Sequence, residues 1–243
     1  MGPAETTATA PGSDLVFLVD VDNTLLDNDT VIADMERYLA HNFGDTLAAR
    51  YWALFTEMRD QSEYVDYLGA LQRFRTEASG DGATTRRLME ASHFFLGYPF
   101  PDRLYPGALD ALAHLGRLGP VVLLSDGDVV FQPHKIRRAG LWDAVEGRVL
   151  VYVHKEAMLD QVQALWPARR YVLVDDKQRL LSAVKDVLHD RVTTVFPRQG
   201  HYALDPANLA RYPAADITVE GIGDLLAIDT FALPAAAPQE ASA

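Results

Sequence analysis

Cysteine is absent from all 243 residues, which rules out a disulfide framework and any zinc site built on thiolates. A reducing compartment such as the cytoplasm fits that composition. Positive charge is scarce as well: 22 Lys and Arg stand against 34 Asp and Glu, a formal net charge of -12. No nucleic acid is expected as a partner, because no basic stripe offsets the repulsion of a phosphate backbone. Long apolar runs are missing too. Residues 15–19 and 121–124 are among the longest and fall far short of the roughly 18 to 20 that a membrane span needs, so no membrane partner is expected. Residues 1–13 have neither a basic start nor a continuous apolar segment and read as a flexible leader rather than a secretion signal. Residues 232–243, rich in Ala and Pro, read as a flexible tail. Met1-Gly2 with Thr6 formally matches a lipidation pattern, but Pro3 and Glu5 supply no basic support for a membrane surface.

What the chain does have is enough length for one large domain, or for a core with a smaller insertion. Its organising stretch is residues 15–26, LVFLVDVDNTLL. An unbroken run of Val, Leu and Phe reads as a central strand of a parallel sheet, buried on both faces. Asp20 and Asp22 stand at its carboxyl end, where an open α/β sheet keeps its chemistry. Residues two apart on a strand point the same way, so two carboxylates are aimed at one small volume. Such a pair repels itself unless a cation or a proton is shared, which suggests a metal site, an acid/base pair or both.

From residue 31 to residue 98 the periodicity turns helical throughout. Val31, Met35, Leu39 and Phe43 recur at helical spacing, and three further helices follow, with residues 79–82 (Ser-Gly-Asp-Gly) as a turn before the last. This reads as an all-helical insertion. Tyr51, Trp52, Phe55, Tyr64 and Tyr67 are its candidate ligand-facing rings, although their spacing also suits the insertion's own core. Residues 99–106 read as the return linker.

Three more motifs follow in order, with a helix between the first two of them. Residues 121–124 form an apolar strand ending in Ser125-Asp126-Gly127, a hydroxyl and a glycine able to hold a phosphoryl oxygen. Residues 131–141 are helical, and His134, Lys135, Arg137 and Arg138 read as a solvated face. Residues 149–153 form a strand that runs into His154-Lys155, placing an ammonium within reach of the strand-end carboxylates. Residues 171–174 form another, ending in Asp175-Asp176, a pair costly to hold without a cation. Strands at residues 192–195 and 217–219 and a short helix over residues 222–228 close the pattern.

Asp20-Val21-Asp22-Asn23-Thr24-Leu25 resembles the first motif, DxDxT, of the haloacid dehalogenase superfamily. Ser125, Lys155 and Asp175-Asp176 resemble its second, third and fourth motifs. The resemblance covers residues 15–228 and implies a Rossmann-like α/β core, over residues 14–27 and 99–231, with a helical cap of the C1 type over residues 28–98. It further implies a Mg²⁺-dependent phosphohydrolase acting on a small phosphorylated metabolite. In that chemistry Asp20 is the nucleophile, and Asp22 gives and takes the proton. Ser125 and Lys155 stabilise the transferring oxygens, with Lys135 the runner-up for the cationic role. Mg²⁺ is held by Asp20, the backbone carbonyl of Asp22, Asp176 and, directly or through water, Asp175. A phosphomutase shares all these motifs. A dehalogenase needs no second aspartate to protonate its leaving group, and a receiver-type signalling module places its acidic pair first rather than last. The cap residues that choose the substrate, among Gln61, Glu63, Tyr64, Arg73, Arg86 and Arg87, stay open. The expected assembly is a cytoplasmic monomer or homodimer.

Overall fold

The computed structural model describes residues 13–62, 66–78, 82–229 and 231. Six apolar segments become the strands β1 (Ser13–Val19), β2 (Val121–Asp126), β3 (Val149–Tyr152), β4 (Ala168–Val174), β5 (Val192–Pro197) and β6 (Ile217–Val219). All pair in parallel, in the order β3-β2-β1-β4-β5-β6. The near-continuous hydrophobic runs are explained by burial on both sides. Phe17, Val19, Leu123, Val172 and Val174 face one core. Val16, Leu18, Val122, Leu124 and Leu173 face the other.

Four helices, α1 (Asn28–Phe43), α2 (Asp45–Ser62), α3 (Tyr67–Ala78) and α4 (Gly82–Gly97), lie between β1 and β2 as the helical insertion. The chain returns through a 3₁₀ turn at Phe100–Arg103 and α5 (Ala108–Leu118). Helices α6 (Phe131–Arg138) and α7 (Leu141–Ala144) join β2 to β3, and α8 (Leu159–Leu165) precedes β4. Helix α9 (Gln178–Leu188) precedes β5, and α10 (Gly200–Leu204) and α11 (Pro206–Arg211) precede β6. Crossover helices of this kind are what parallel strands require.

The structure departs from the sequence-based expectations in four places. Ser13, expected in the leader, pairs with Ala168 and opens β1. The single helix expected over residues 131–141 is two, broken at Gly140 in the left-handed conformation, φ 80°. The final helix is a 3₁₀ turn at Ile222–Ala227. Lys135, expected on a solvated face, is 1% exposed, because with Phe131, Gln132 and Ile136 it falls on the buried side of α6. Glu63, Tyr64 and most of the turn at residues 79–82 lie outside the described residues, as do residues 1–12 and 232–243.

Aromatic rings knit the insertion together. Tyr51, Phe74 and Phe95 are buried, with Tyr51 edge-on to both of the others. The Tyr51 hydroxyl donates to the carbonyl of Tyr67 at 3.0 Å. Polar contacts also join the insertion to its surroundings. Asp34 of α1 accepts from Tyr98 and Arg103 of the return segment. A His134 ring nitrogen on α6 meets the Leu96 carbonyl at 2.6 Å. Asp29, in the first turn of α1, accepts from the backbone N–H of His201 on α10 at 2.8 Å.

Candidate active site

Strand register decides which side chains meet. Val19 of β1 stands opposite Val174 of β4 and Leu123 of β2, so Asp20 and Asp175 leave neighbouring strands at the same level. The order runs outward in opposite directions from β1 and β4, and the crevice at that reversal is where open α/β sheets bind ligands.

The turn after β1 is tightly specified. Asn23 adopts φ 60°, and its side-chain oxygen accepts from the N–H groups of Asn28 and Asp29, which sets the start of α1. Thr24 is fully buried and ties two motifs together: its hydroxyl accepts from the N–H of Asp176 at 3.1 Å, and its carbonyl accepts from Gln199 at 3.0 Å. A side chain at Gly200, φ 70°, would press to 2.5 Å from Asn23, so only glycine lets that loop approach the turn.

Asp20, Asp175 and Asp176 converge, with one carboxylate oxygen from each within 4.8 Å of the others. Lys155, which opens a 3₁₀ turn at Lys155–Ala157, sends its ammonium between them, 2.5 Å from Asp20 Oδ1, 2.6 Å from Asp175 Oδ2 and 3.2 Å from the Leu124 carbonyl. Its backbone N–H donates to Asp126 at 2.9 Å. Burial alone would weaken this ammonium's hold on its proton, but the charges of Asp175 and Asp20 outweigh it and hold the lysine above its ordinary range. The same burial pushes Asp175 up to about 6, with Lys155 pulling against it. Burial and the neighbouring Asp175 charge hold Asp176 well above the usual carboxylate range. Lys177, half-buried at the cavity, is a second cation here, raised by Asp20, Asp175 and Asp176 against the cost of its desolvation.

Asp22 faces elsewhere. Its carboxylate lies outside the Asp20–Asp175–Asp176 group and contacts Lys135 Nζ at 2.6 and 2.7 Å through its two oxygens. Ser125 is buried at the end of β2, where its Oγ accepts from Gln132 at 2.8 Å; the same Gln132 nitrogen reaches Asp22 at 3.3 Å. Gly127, φ 153°, lets Gln132 in, since a Cβ there would lie 2.9 Å from it. A cavity of about 560 Å³ opens over this half of the site, between Asp22, Gln132 and Lys177 on one side and Ile32, Phe55 and Tyr67 of the insertion on the other. Of the insertion's candidate rings, Phe55 and Tyr67 thus face the cavity, whereas Tyr51 and Trp52 pack within the insertion.

All six predicted residues therefore fall in one region, but in two groups: Asp20, Lys155, Asp175 and Asp176 in one, Asp22 and Ser125 in the other. Sequence reasoning held Lys135 only as the runner-up for the cationic role and placed it on a solvated face, and it missed Gln132, Asn28 and Lys177 as parts of the site. A signal for Lys135 existed, because it sits four residues after Phe131 and one before Ile136, on the face that apolar spacing marks as buried.

The acidic group suits a hard cation. Asp20 Oδ2 and both oxygens of Asp176 are buried with no hydrogen-bond partner, a costly state that an oxygen-seeking divalent ion would relieve. Around it Asp20, Asp22, Asp126, Asp175 and Asp176 face Lys135, Lys155 and Lys177, a formal excess of negative charge.

The sequence profile of the haloacid dehalogenase-like hydrolases matches residues 15–186. A solved structure assigned to the same hydrolases, from Burkholderia xenovorans LB400, is 58% identical, covers 90% of this chain and 100% of its own, and superposes with a TM-score of 0.82. An L-2-haloacid dehalogenase from Xanthobacter autotrophicus shares 18% identity over 88% of this chain and 97% of its own, TM-score 0.55. A HAD-hydrolase from Bacillus subtilis, bound to magnesium, shares 14% over 89% and 100%, TM-score 0.58. The last two likenesses establish the fold alone. No curated protein matches the sequence significantly. Among the described residues, no helix is long and apolar enough to cross a membrane.

Proposed function

The chain belongs to the haloacid dehalogenase-like hydrolases, and within that family we propose that it hydrolyses a small phosphomonoester through an aspartyl-phosphate on Asp20. The observation that carries the reading is the second aspartate. Asp22 follows the nucleophile by two residues and lines the cavity, where a leaving oxygen would need a proton. A departing halide needs none, and a ring of carboxylates would repel it.

A carboxylate oxygen of Asp20 attacks phosphorus as the bond to the ester oxygen breaks. That oxygen leaves with the bonding electrons and takes a proton from Asp22. Water then attacks the aspartyl-phosphate, gives its proton to Asp22, and frees inorganic phosphate and the Asp20 carboxylate. Lys155 pairs with the nucleophile and faces charge that builds on the transferring oxygens. Ser125, fixed by Gln132, supplies a hydroxyl to the same oxygens. Asp20, Asp176 and the Asp22 carbonyl, with Asp175 in support, would hold Mg²⁺. When bound, that ion supplies a fixed positive charge against the phosphoryl oxygens.

The test is release of phosphate from a panel of small phosphomonoesters, with Mg²⁺ and with chelator, and in parallel release of halide from 2-haloacids. Metal-dependent phosphate release that falls by about 10⁴-fold or more in Asp20→Asn is the expected result. Halide release without phosphate release would overturn the reading in favour of a dehalogenase.

A further inference from the structure

Lys135 is not one of the four motifs, yet it is among the most deeply buried side chains of the molecule. Taking an ammonium out of water costs several kcal/mol unless it is fully paired. Here its Nζ lies 2.6 and 2.7 Å from the two oxygens of Asp22 and 3.1 Å from Asn28 Oδ1. Gln132, one turn earlier on α6, holds the same Asp22 oxygen and the Ser125 hydroxyl. Lys155 is enclosed together with both of its carboxylate partners, Asp20 and Asp175. In the Lys135 pair the lysine is 1% exposed and the Asp22 side chain 26% exposed, open to the cavity. The cation is enclosed and its carboxylate is presented.

The far end of the clamp rests on the insertion. Asn28 is the first residue of α1, and Tyr67 of α3 lines the same cavity. The Tyr67 ring also packs on Phe131 of α6, centroids 5.0 Å apart. Asn28, Lys135 and Asp22 thus form one chain of contacts from insertion to reacting centre, and Tyr67 braces the helix that carries Lys135.

We propose that Lys135 is a positioning residue: it fixes the direction in which Asp22 presents its carboxyl group to the leaving oxygen, and through Asn28 and Tyr67 it ties that direction to the seating of the helical insertion. The inference rests on the reading of Asp22 as the group that gives and takes the proton. Its consequence is selective. Loss of Lys135 should harm esters whose leaving oxygen must be protonated and spare those whose leaving group departs as a stable anion.

The experiment compares phenyl phosphate, a poor leaving group, with 2,4-dinitrophenyl phosphate, a good one, in the full-length protein with Mg²⁺. Wild type, Lys135→Met, Asp22→Asn and the double variant are measured, with circular dichroism to confirm folding. Lys135→Met is expected to lower kcat on phenyl phosphate by about 100-fold and on the dinitrophenyl ester by less than about tenfold, with KM little changed. In the Asp22→Asn background it should cost nothing further, because the two residues act as a unit. Asn28→Ala removes only the second partner of Lys135 and should show a smaller loss with the same selectivity, which decides the matter if Lys135→Met does not fold. Equal loss on both esters, full additivity with Asp22→Asn, or no loss in an active enzyme would overturn the proposal. If wild type hydrolyses neither ester, the phosphatase reading itself fails and the proposal with it.

Discussion

The site contains two buried lysines, and they sit in different company. Lys155 is enclosed with Asp20 and Asp175, all three at or just beyond strand ends and shut off from solvent. Lys135 comes from a helix, and its carboxylate partner, Asp22, opens to a cavity walled partly by the insertion. One group is rigid because the sheet register leaves it no alternative. The other is assembled from β1, α6 and α1, so it depends on how elements from two layers seat against each other. On the proposed reading this is a division of labour in which bond making to phosphorus is fixed by the sheet, while proton delivery is tied to the insertion.

Breaking the sheet-borne half should give the larger effect. Lys155→Met is expected to lower kcat by about 10² to 10³-fold on good and poor leaving groups alike, unlike Lys135→Met. It also leaves Asp20 and Asp175 buried without their cation, so a loss of roughly 3 to 5 kcal/mol in chelator is expected by denaturant unfolding. A selective loss on poor leaving groups would erase the distinction between the two lysines.

The next effect is linked to pH. Asp175 has its pKa pushed up to about 6, and Asp126 and Asp176 are also raised, so the folded protein binds more protons there than the unfolded chain. These groups stabilise the metal-free protein fully only below the ordinary carboxylate range, near 4. That contribution is lost as pH rises through about 6. Mg²⁺ competes with the same protons, so the rise in Tm that it confers should grow between about pH 5 and pH 7. A Tm increment independent of pH across that range would contradict the assignment of the acidic group as the metal site.

The smallest effect lies in the insertion, away from both lysines. Tyr51→Phe removes the buried hydrogen bond to the Tyr67 carbonyl and should cost about 1 kcal/mol in unfolding free energy. Hydrolysis of both test esters should change by less than about twofold if the insertion's own core is separate from the contact of Asn28 with Lys135.

How far the sequence made this visible follows the same division. Asp20, Lys155, Asp175 and Asp176 were legible because each ends or follows an apolar run, and parallel strands bring such ends to one crevice whatever their separation in the chain. The helical insertion was legible from Val31, Met35, Leu39 and Phe43. The clamp on Asp22 was not. Lys135 lies among His134, Arg137 and Arg138, which disguises a buried position as part of a charged face. Asn28 and Tyr67 lie 39 residues apart on different helices, and no local pattern announces that they line one cavity. Helix packing places them, and composition cannot convey that. Ser13 reads as leader because one polar residue at a strand's edge looks like loop, although pairing with Ala168 draws it into the sheet.

The central claim is that Asp20 carries the phosphoryl group during turnover, and trapping it tests that claim most directly. The Mg²⁺-loaded enzyme would be quenched in acid during hydrolysis of 2,4-dinitrophenyl phosphate, digested, and the peptide containing Asp20 weighed. The expected result is a phosphoryl group on that aspartate, absent from the Asp20→Asn protein. An unmodified Asp20 peptide from an enzyme shown to be turning over, or a phosphoryl group on any other residue, would contradict it.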